Sequence, residues 1–293
     1  MLFTGAATAI VTPFTGDGID YESLDRIIEF QIENKIDAIV VAGTTGEAAT
    51  LTDDEYKSLL KHTVERVAKR VPVIAGSGAN NTQKAIIQSK WAEEAGVDGL
   101  LVVNPYYNKG TQKSLITHYK AIADSVNTPI VVYNVPGRTG MNISVDTIVS
   151  LSQIEGIVAV KEASGNFDQI SEILRRVDDS FAVYSGNDNT VVPLLSLGGR
   201  GVISVVSNVM PRKTHDMVMT YLEGDVKESA SIQHYLNTLV KALFVETNPI
   251  PVKKAMEWMG YCNGDVRLPL EKMTEETQPV LREAMISLNL LED

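Results

Sequence analysis

The 293-residue sequence predicts an α/β chain folded as a (β/α)8 TIM barrel with a C-terminal helical appendage. Short apolar, β-branched runs recur eight times with helix-like stretches between them, the mark of βαβ units around a parallel sheet. Several runs are almost continuously hydrophobic, as strands covered on both faces must be. No G-x-G-x-x-G follows the first run, so the glycine turn of an open dinucleotide-binding sheet is missing. Eight repeats within about 220 residues favour closure.

The predicted strands are residues 6–11, 38–42, 73–76, 99–103, 130–133, 157–161, 182–185 and 202–206. Between them, Asp53-Asp54-Glu55 opens a helix that runs to Arg70. Thr82 precedes a helix over 83–95 that Gly96 closes, and Ser144 precedes one over 145–151. Acidic starts and glycine ends suit the two poles of the helix dipole. Beyond Asp225 the strand pattern stops, and helical periodicity takes over at 229–245, 251–259 and 275–288. This divides the chain into a barrel at 1–225 and a helical region at 226–293, with no low-complexity linker between them.

Composition narrows the class further. The chain is 44% hydrophobic and 22% charged with mean hydropathy of zero, ordinary for a soluble globular protein. A net charge of −11 and a pI near 4.9 disfavour nucleic-acid or anionic-membrane partners, whose phosphates need a basic surface. One cysteine, Cys262, excludes an intrachain disulfide and a thiolate zinc cluster, and reads as a packing thiol. The N-terminal MLFTGAATAIVTPF lacks a basic leader and is interrupted by Thr and Pro, so it reads as a first strand in a cytoplasmic protein. The four histidines lie in helix-like segments without metal-ligand spacing, and no Walker loop is present.

Barrel enzymes collect their chemistry at the C-terminal ends of strands. Lys161 ends the run Ile157-Val158-Ala159-Val160, where an ammonium is poorly solvated. Burial favours the free amine, the form that attacks a ketone. The competing reading is a strand-end lysine paired with Glu162, and strand context alone leaves both open. Tyr133 closes Ile130-Val131-Val132 either as a proton shuttle or as a buried phenol with one satisfied hydrogen bond. Gly43-Thr44-Thr45-Gly46 offers hydroxyls and backbone N–H groups for a small carboxylate, although Gly-Thr turns are common. Arg138, after a Pro-Gly turn, either grips a carboxylate or makes a surface ion pair.

At these residues the sequence resembles the dihydrodipicolinate synthase family of pyruvate-dependent class I aldolases, essentially from end to end. The resemblance rests on GTTGE at 43–47, PYYN at 105–108, YNVPGRTG at 133–140, AVKEASG at 159–165, YSGND at 184–188 and NPIPVK at 248–253. It implies a lyase that condenses pyruvate with L-aspartate-4-semialdehyde, the first committed step of diaminopimelate and lysine biosynthesis. Lys161 would form the pyruvate Schiff base, with Tyr133, Thr44 and Tyr107 as a proton relay. Thr45, Gly186 and Ile203 would bind pyruvate, and Arg138 the semialdehyde carboxylate. The resemblance implies no cofactor or metal. It further implies a homo-oligomer, a dimer of dimers, in which Tyr107 serves the neighbouring subunit.

A sister aldolase acting on N-acetylneuraminate or a keto-deoxy sugar acid would share Lys161 and Tyr133 but generally lacks the GRTG continuation at 137–140. A catalytically silent, ligand-binding barrel is disfavoured by intact Lys161, Tyr133, Thr44 and Tyr107. One departure concerns regulation. Lysine-inhibited members of the family carry a glutamate and histidines in an allosteric pocket where this chain has Lys84, Asp53 and Tyr56, while Asn80 and Tyr106 are retained. A lysine ligand would be repelled by Lys84, so weak or absent feedback inhibition is expected.

Overall fold

The computed structural model describes residues 2–16 and 18–292. The chain begins with β1 (Gly5–Ala9), then a small hairpin of β2 (Phe14–Thr15) and β3 (Gly18–Ile19) outside the barrel sheet. The next units are α1 (Tyr21–Glu33), β4 (Ala38–Val41), α2 (Asp53–Val67), β5 (Val73–Gly76), α3 (Thr82–Ala95), β6 (Gly99–Val103) and α4 (Gln112–Ala123). β7 (Ile130–Asn134) is followed by the single turn α5 (Pro136–Thr139) and by α6 (Val145–Ser152). β8 (Ile157–Glu162), α7 (Phe167–Arg176), β9 (Ala182–Ser185), α8 (Val191–Ser196), β10 (Gly201–Ser204) and α9 (Pro211–Leu222) complete the repeats. Every barrel pairing is parallel, and β10 closes on β1, so the predicted eight-stranded barrel is present.

Local chemistry sets the element ends. β1 stops short of the predicted Val11 because Ile10 N–H still donates to Val40 O whereas Val11 N–H turns to the Asn208 side chain at 3.1 Å. β4 ends at Val41 because Ala42 is left-handed, at φ 51°. α2 ends at Val67, three residues before the predicted Arg70, since Ala68 and Lys69 are both left-handed. Thr52 and Glu55 form a capping box at its start, and the cap of α3 is Asn81, one residue ahead of Thr82. The predicted eighth strand, 202–206, is displaced to Gly201–Ser204, and Val206–Asn208 form a 3-10 turn.

Beyond Asp225 come α10 (Val226–Ala242), α11 (Ile250–Trp258) and α12 (Gln278–Ser287). α10 starts three residues earlier than the periodicity suggests because the Asp225 side chain caps it, accepting from Glu228 N–H. α10 packs on α9 and α12, and Leu236, Leu239, Met256 and Leu281 join one apolar layer with Val132, Val160 and Val183 of the strands. Among the described residues no helix is long and apolar enough to cross a membrane.

Strand alternation sorts side chains into that outer layer and a separate barrel interior. Ala7, Val40, Ile74, Val131, Ala159 and Ile203 fill the interior. Its N-terminal end is closed by Phe3, whose ring stacks on Tyr184 at 4.3 Å between centroids, while the Tyr184 hydroxyl donates to Phe3 O at 2.6 Å.

Candidate active site

The C-terminal ends of the strands surround a cavity of about 360 Å³, lined among others by Gly43, Thr44, Tyr106, Tyr133, Arg138 and Asn248. Its position follows from the fold: the loops after β4, β5, β6 and β7 meet there, and the segment before α11 reaches across from the C-terminal region.

Lys161 sits in β8 with Tyr133 of β7 and Tyr184 of β9 as its register partners. Ala159 belongs to the barrel interior and Val160 to the outer layer, so alternation turns Lys161 inward and Glu162 outward. This separates the two side chains that the sequence left as a possible pair. The Glu162 carboxylate instead accepts from Asn134 at 3.0 and 3.1 Å, from Gln169 at 3.2 Å and from Ser164 N–H at 2.6 Å. Lys161 is buried, and among the described residues it makes no ion pair and no hydrogen bond. Its Nζ lies 4.3 Å from the centre of the Tyr133 ring, and Tyr133 also lines the cavity.

Electrostatics follow from that burial. Loss of hydration holds Lys161 down to about 8 from its ordinary 10.5, with the Asp188 carboxylate opposing and the Arg138 guanidinium reinforcing. Burial likewise pushes Tyr133 up to about 12, against a smaller opposing pull from Arg138. A protonated phenol therefore faces a lysine that is still mostly charged at neutral pH but has a free-amine fraction far above that of a solvated lysine.

Of the other expected residues, Thr44 and Arg138 line the cavity, whereas Thr45, Gly186, Ile203 and Tyr107 are not among its lining residues. Thr44 is exposed to the cavity, whereas Thr45 is buried and its Oγ1 accepts from Asn248 Nδ2 at 3.0 Å. Arg138, on α5, donates through Nη2 to Asn248 O at 3.2 Å, in place of the surface ion pair that its exposure would allow. Gly186 passes the lysine so closely that a Cβ there would sit 3.1 Å from Lys161 Cε and 2.7 Å from Ala163 Cβ. Ile203 is on the interior wall. Tyr107 is left apart: it is 90% exposed, in a left-handed conformation at φ 69°, and outside the cavity lining of its own chain.

Five contributors were not singled out from sequence: Asp188, Glu47, Lys253, Phe14 and Asn248. Asp188 is buried and accepts from Val205 and Val206 N–H at 2.9 and 3.0 Å, fixing the turn after β10. Glu47, left-handed at φ 53°, forms a buried ion pair with Lys253 of α11 at 2.6 Å and accepts from Arg267 N–H at 3.0 Å. Phe14 of the hairpin has Lys253 and Arg267 over its ring at 4.2 and 4.1 Å. Asn248 joins Thr45 to Arg138. Asp188, Glu47, Lys253 and Asn248 all lie inside motifs noted in the sequence, but nothing local announces their partners. Cys262 packs partly buried in the turn after α11. No cluster of His, Cys, Asp or Glu among the described residues has metal-binding geometry.

A closed parallel barrel with a cavity at the C-terminal ends of its strands and a desolvated lysine against a tyrosine that lines it defines a TIM-barrel enzyme. The chain matches the model of the dihydrodipicolinate synthetase family over residues 2–287, and it belongs to that family. It is 54% identical over 290 residues to the 4-hydroxy-tetrahydrodipicolinate synthase of Acetivibrio thermocellus, covering 99% of each chain. It also superposes on the dihydrodipicolinate synthase of Thermotoga maritima with a TM-score of 0.98 at 44% identity, covering 99% of this chain and all of that one. The enzyme from Cyanidioschyzon merolae, solved with lysine bound, matches with a TM-score of 0.96 at 42% identity over 99% of both chains.

The buried lysine makes a stability prediction with a definite sign. Below about pH 8 Lys161 is charged in both folded and unfolded chains, and burial penalises only the folded one. Between about 8 and 10.5 the unfolded chain binds more protons, so the penalty fades as pH rises. The gap between 10.5 and about 8 corresponds to roughly 3 kcal/mol as an upper limit. Lys161→Met should therefore raise the thermal midpoint by a few degrees at pH 7, with a gain that shrinks toward pH 10. A midpoint that falls at pH 7 would show that the ammonium is not strained by its surroundings.

Proposed function

We propose that this enzyme condenses pyruvate with L-aspartate-4-semialdehyde to 4-hydroxy-tetrahydrodipicolinate, through a Schiff base on Lys161, in the route to diaminopimelate and lysine. Family membership and the close relatives support the reaction. The observation that carries the chemistry is the lysine itself, buried without an ion pair or hydrogen bond among the described residues and set against a tyrosine that borders the cavity. A free amine adds to the pyruvate carbonyl and expels water, leaving an iminium. The methyl carbon then loses a proton, and the resulting enamine attacks the aldehyde carbon of the second substrate.

Tyr133 is placed to move protons onto and off these intermediates, with Thr44 at the cavity and Tyr107 completing the relay from a neighbouring subunit. The exposure of Tyr107 in its own chain supports that arrangement, and with it a homo-oligomer built as a dimer of dimers. Thr45, Gly186 and the backbone at Ile203 bind pyruvate, and Arg138 holds the carboxylate of the semialdehyde. Attack of the semialdehyde amine on the former carbonyl carbon closes the ring and releases Lys161. The net reaction loses one water, and no cofactor enters.

Lysine should regulate this chain weakly. Lys84 is exposed at the cavity edge, Asp53 is exposed, and Tyr56 is buried with its hydroxyl committed to Gly76 O at 2.9 Å. A ligand ammonium meets the charge of Lys84 where lysine-binding relatives offer a carboxylate.

In a coupled assay, the wild type should turn over pyruvate with aspartate semialdehyde, and Tyr133→Phe should lower kcat by roughly 10²–10⁴-fold. Comparable kcat/KM for N-acetylneuraminate would instead favour the sister aldolase. Titrating L-lysine into the same assay should leave more than half the rate at about 1 mM, an affinity weaker than roughly −4 kcal/mol of binding. Half-inhibition at submillimolar lysine would contradict the role given to Lys84.

A further inference from the structure

Resting on the reading of the cavity as a keto-acid site, we propose that Asn248 is a positioning residue that sets the polarity of its carboxylate-binding end. A threonine hydroxyl has one proton and two lone pairs, so its use to an anion depends on which of them faces the ligand. Thr45 is buried, and the one hydrogen bond of its hydroxyl is the one it accepts from Asn248 Nδ2 at 3.0 Å. That bond occupies a lone pair and leaves the proton uncommitted, since among the described residues the hydroxyl donates to nothing. A buried donor without an acceptor is costly until a carboxylate takes it. With the opposite arrangement, an acceptor at position 248 would claim the proton and turn a lone pair toward the anion.

The same residue acts on the second substrate-binding group. Its backbone oxygen accepts from Arg138 Nη2 at 3.2 Å, so one residue tethers groups from the loops after β4 and β7. Asn248 lines the cavity and is itself held: its chain enters α11, whose Lys253 is locked to Glu47, two residues beyond Thr45, by the buried 2.6 Å ion pair. The Asn248 amide thus approaches Thr45 from a mount fixed to the same loop. Among the described residues its buried Oδ1 accepts no hydrogen bond, so within the chain the amide acts only as a donor.

The test is a double-mutant cycle read by calorimetric titration of pyruvate, which does not require condensation. Asn248→Ala should weaken pyruvate binding about tenfold, the size of one hydrogen bond to a charged group. In a Thr45→Val background the same change should have no further effect, because the hydroxyl through which Asn248 acts is gone. Asn248→Asp, nearly the same shape but an acceptor, should weaken pyruvate binding more than alanine does. It should raise the KM for the semialdehyde less than that for pyruvate, because the backbone oxygen for Arg138 remains. Equal losses from Asn248→Ala with and without the Thr45 hydroxyl, or unaltered binding in Asn248→Asp, would overturn the proposal. A wild type that binds pyruvate but ignores the semialdehyde would remove the substrate assignment and leave Asn248 in its role.

Discussion

The molecule is organised around a lysine that has been taken out of water and, among the described residues, given no ion pair in return, with the Asp188 carboxylate acting on it only through space. Lys161 can hold that position only because the barrel is closed. Tyr133 and Tyr184 flank it in register, Gly186 packs on its stem, and Phe3 with Tyr184 closes the end below. Each of these is a consequence of strand alternation in a sheet whose eight strands have no free edge. One residue of slip in β8 would send Lys161 outward to the helices and bring Glu162 into the barrel. The structure prevents it by using Glu162 outside, where Asn134, Gln169 and the Ser164 backbone satisfy its oxygens.

A second buried charge supports the first from a distance. Glu47 and Lys253 are paired inside the protein, and Arg267, held bidentately by Glu55, stacks with Lys253 against Phe14. A buried ion pair adds little net stability compared with apolar packing, but breaking one side leaves a stranded charge, so the pair is strict about geometry. Here that strictness fixes the loop carrying Thr44 and Thr45 relative to α11. The helices after residue 225 are thereby part of how the cavity is shaped, and they share the apolar layer that covers the barrel.

Sequence periodicity disclosed the eight strands and the helical C-terminal region, and polar residues at strand ends marked the candidate site, because burial on both faces and strand-end polarity leave local marks. It missed what depends on conformation or on distant partners. Ala42 ends β4 by adopting a left-handed φ that no residue-type preference would suggest. The hairpin at Phe14–Ile19 has strands of two residues, too short for alternation to show. Whether Lys161 paired with Glu162 was undecidable from strand context, and became decided once the barrel assigned inside and outside. Asn248 finds Thr45 across 203 positions, so no spacing rule could join them. Tyr107 lies beyond the cavity of its own chain, so what it serves is not written in one chain's contacts.

The central claim is that Lys161, made nucleophilic by burial, carries the substrate covalently. Borohydride reduction in the presence of pyruvate, followed by peptide mass mapping, tests it most directly. The account predicts one pyruvyl adduct, on the peptide containing Lys161, and none in Lys161→Met. An adduct on another lysine, or no adduct at all, would contradict it.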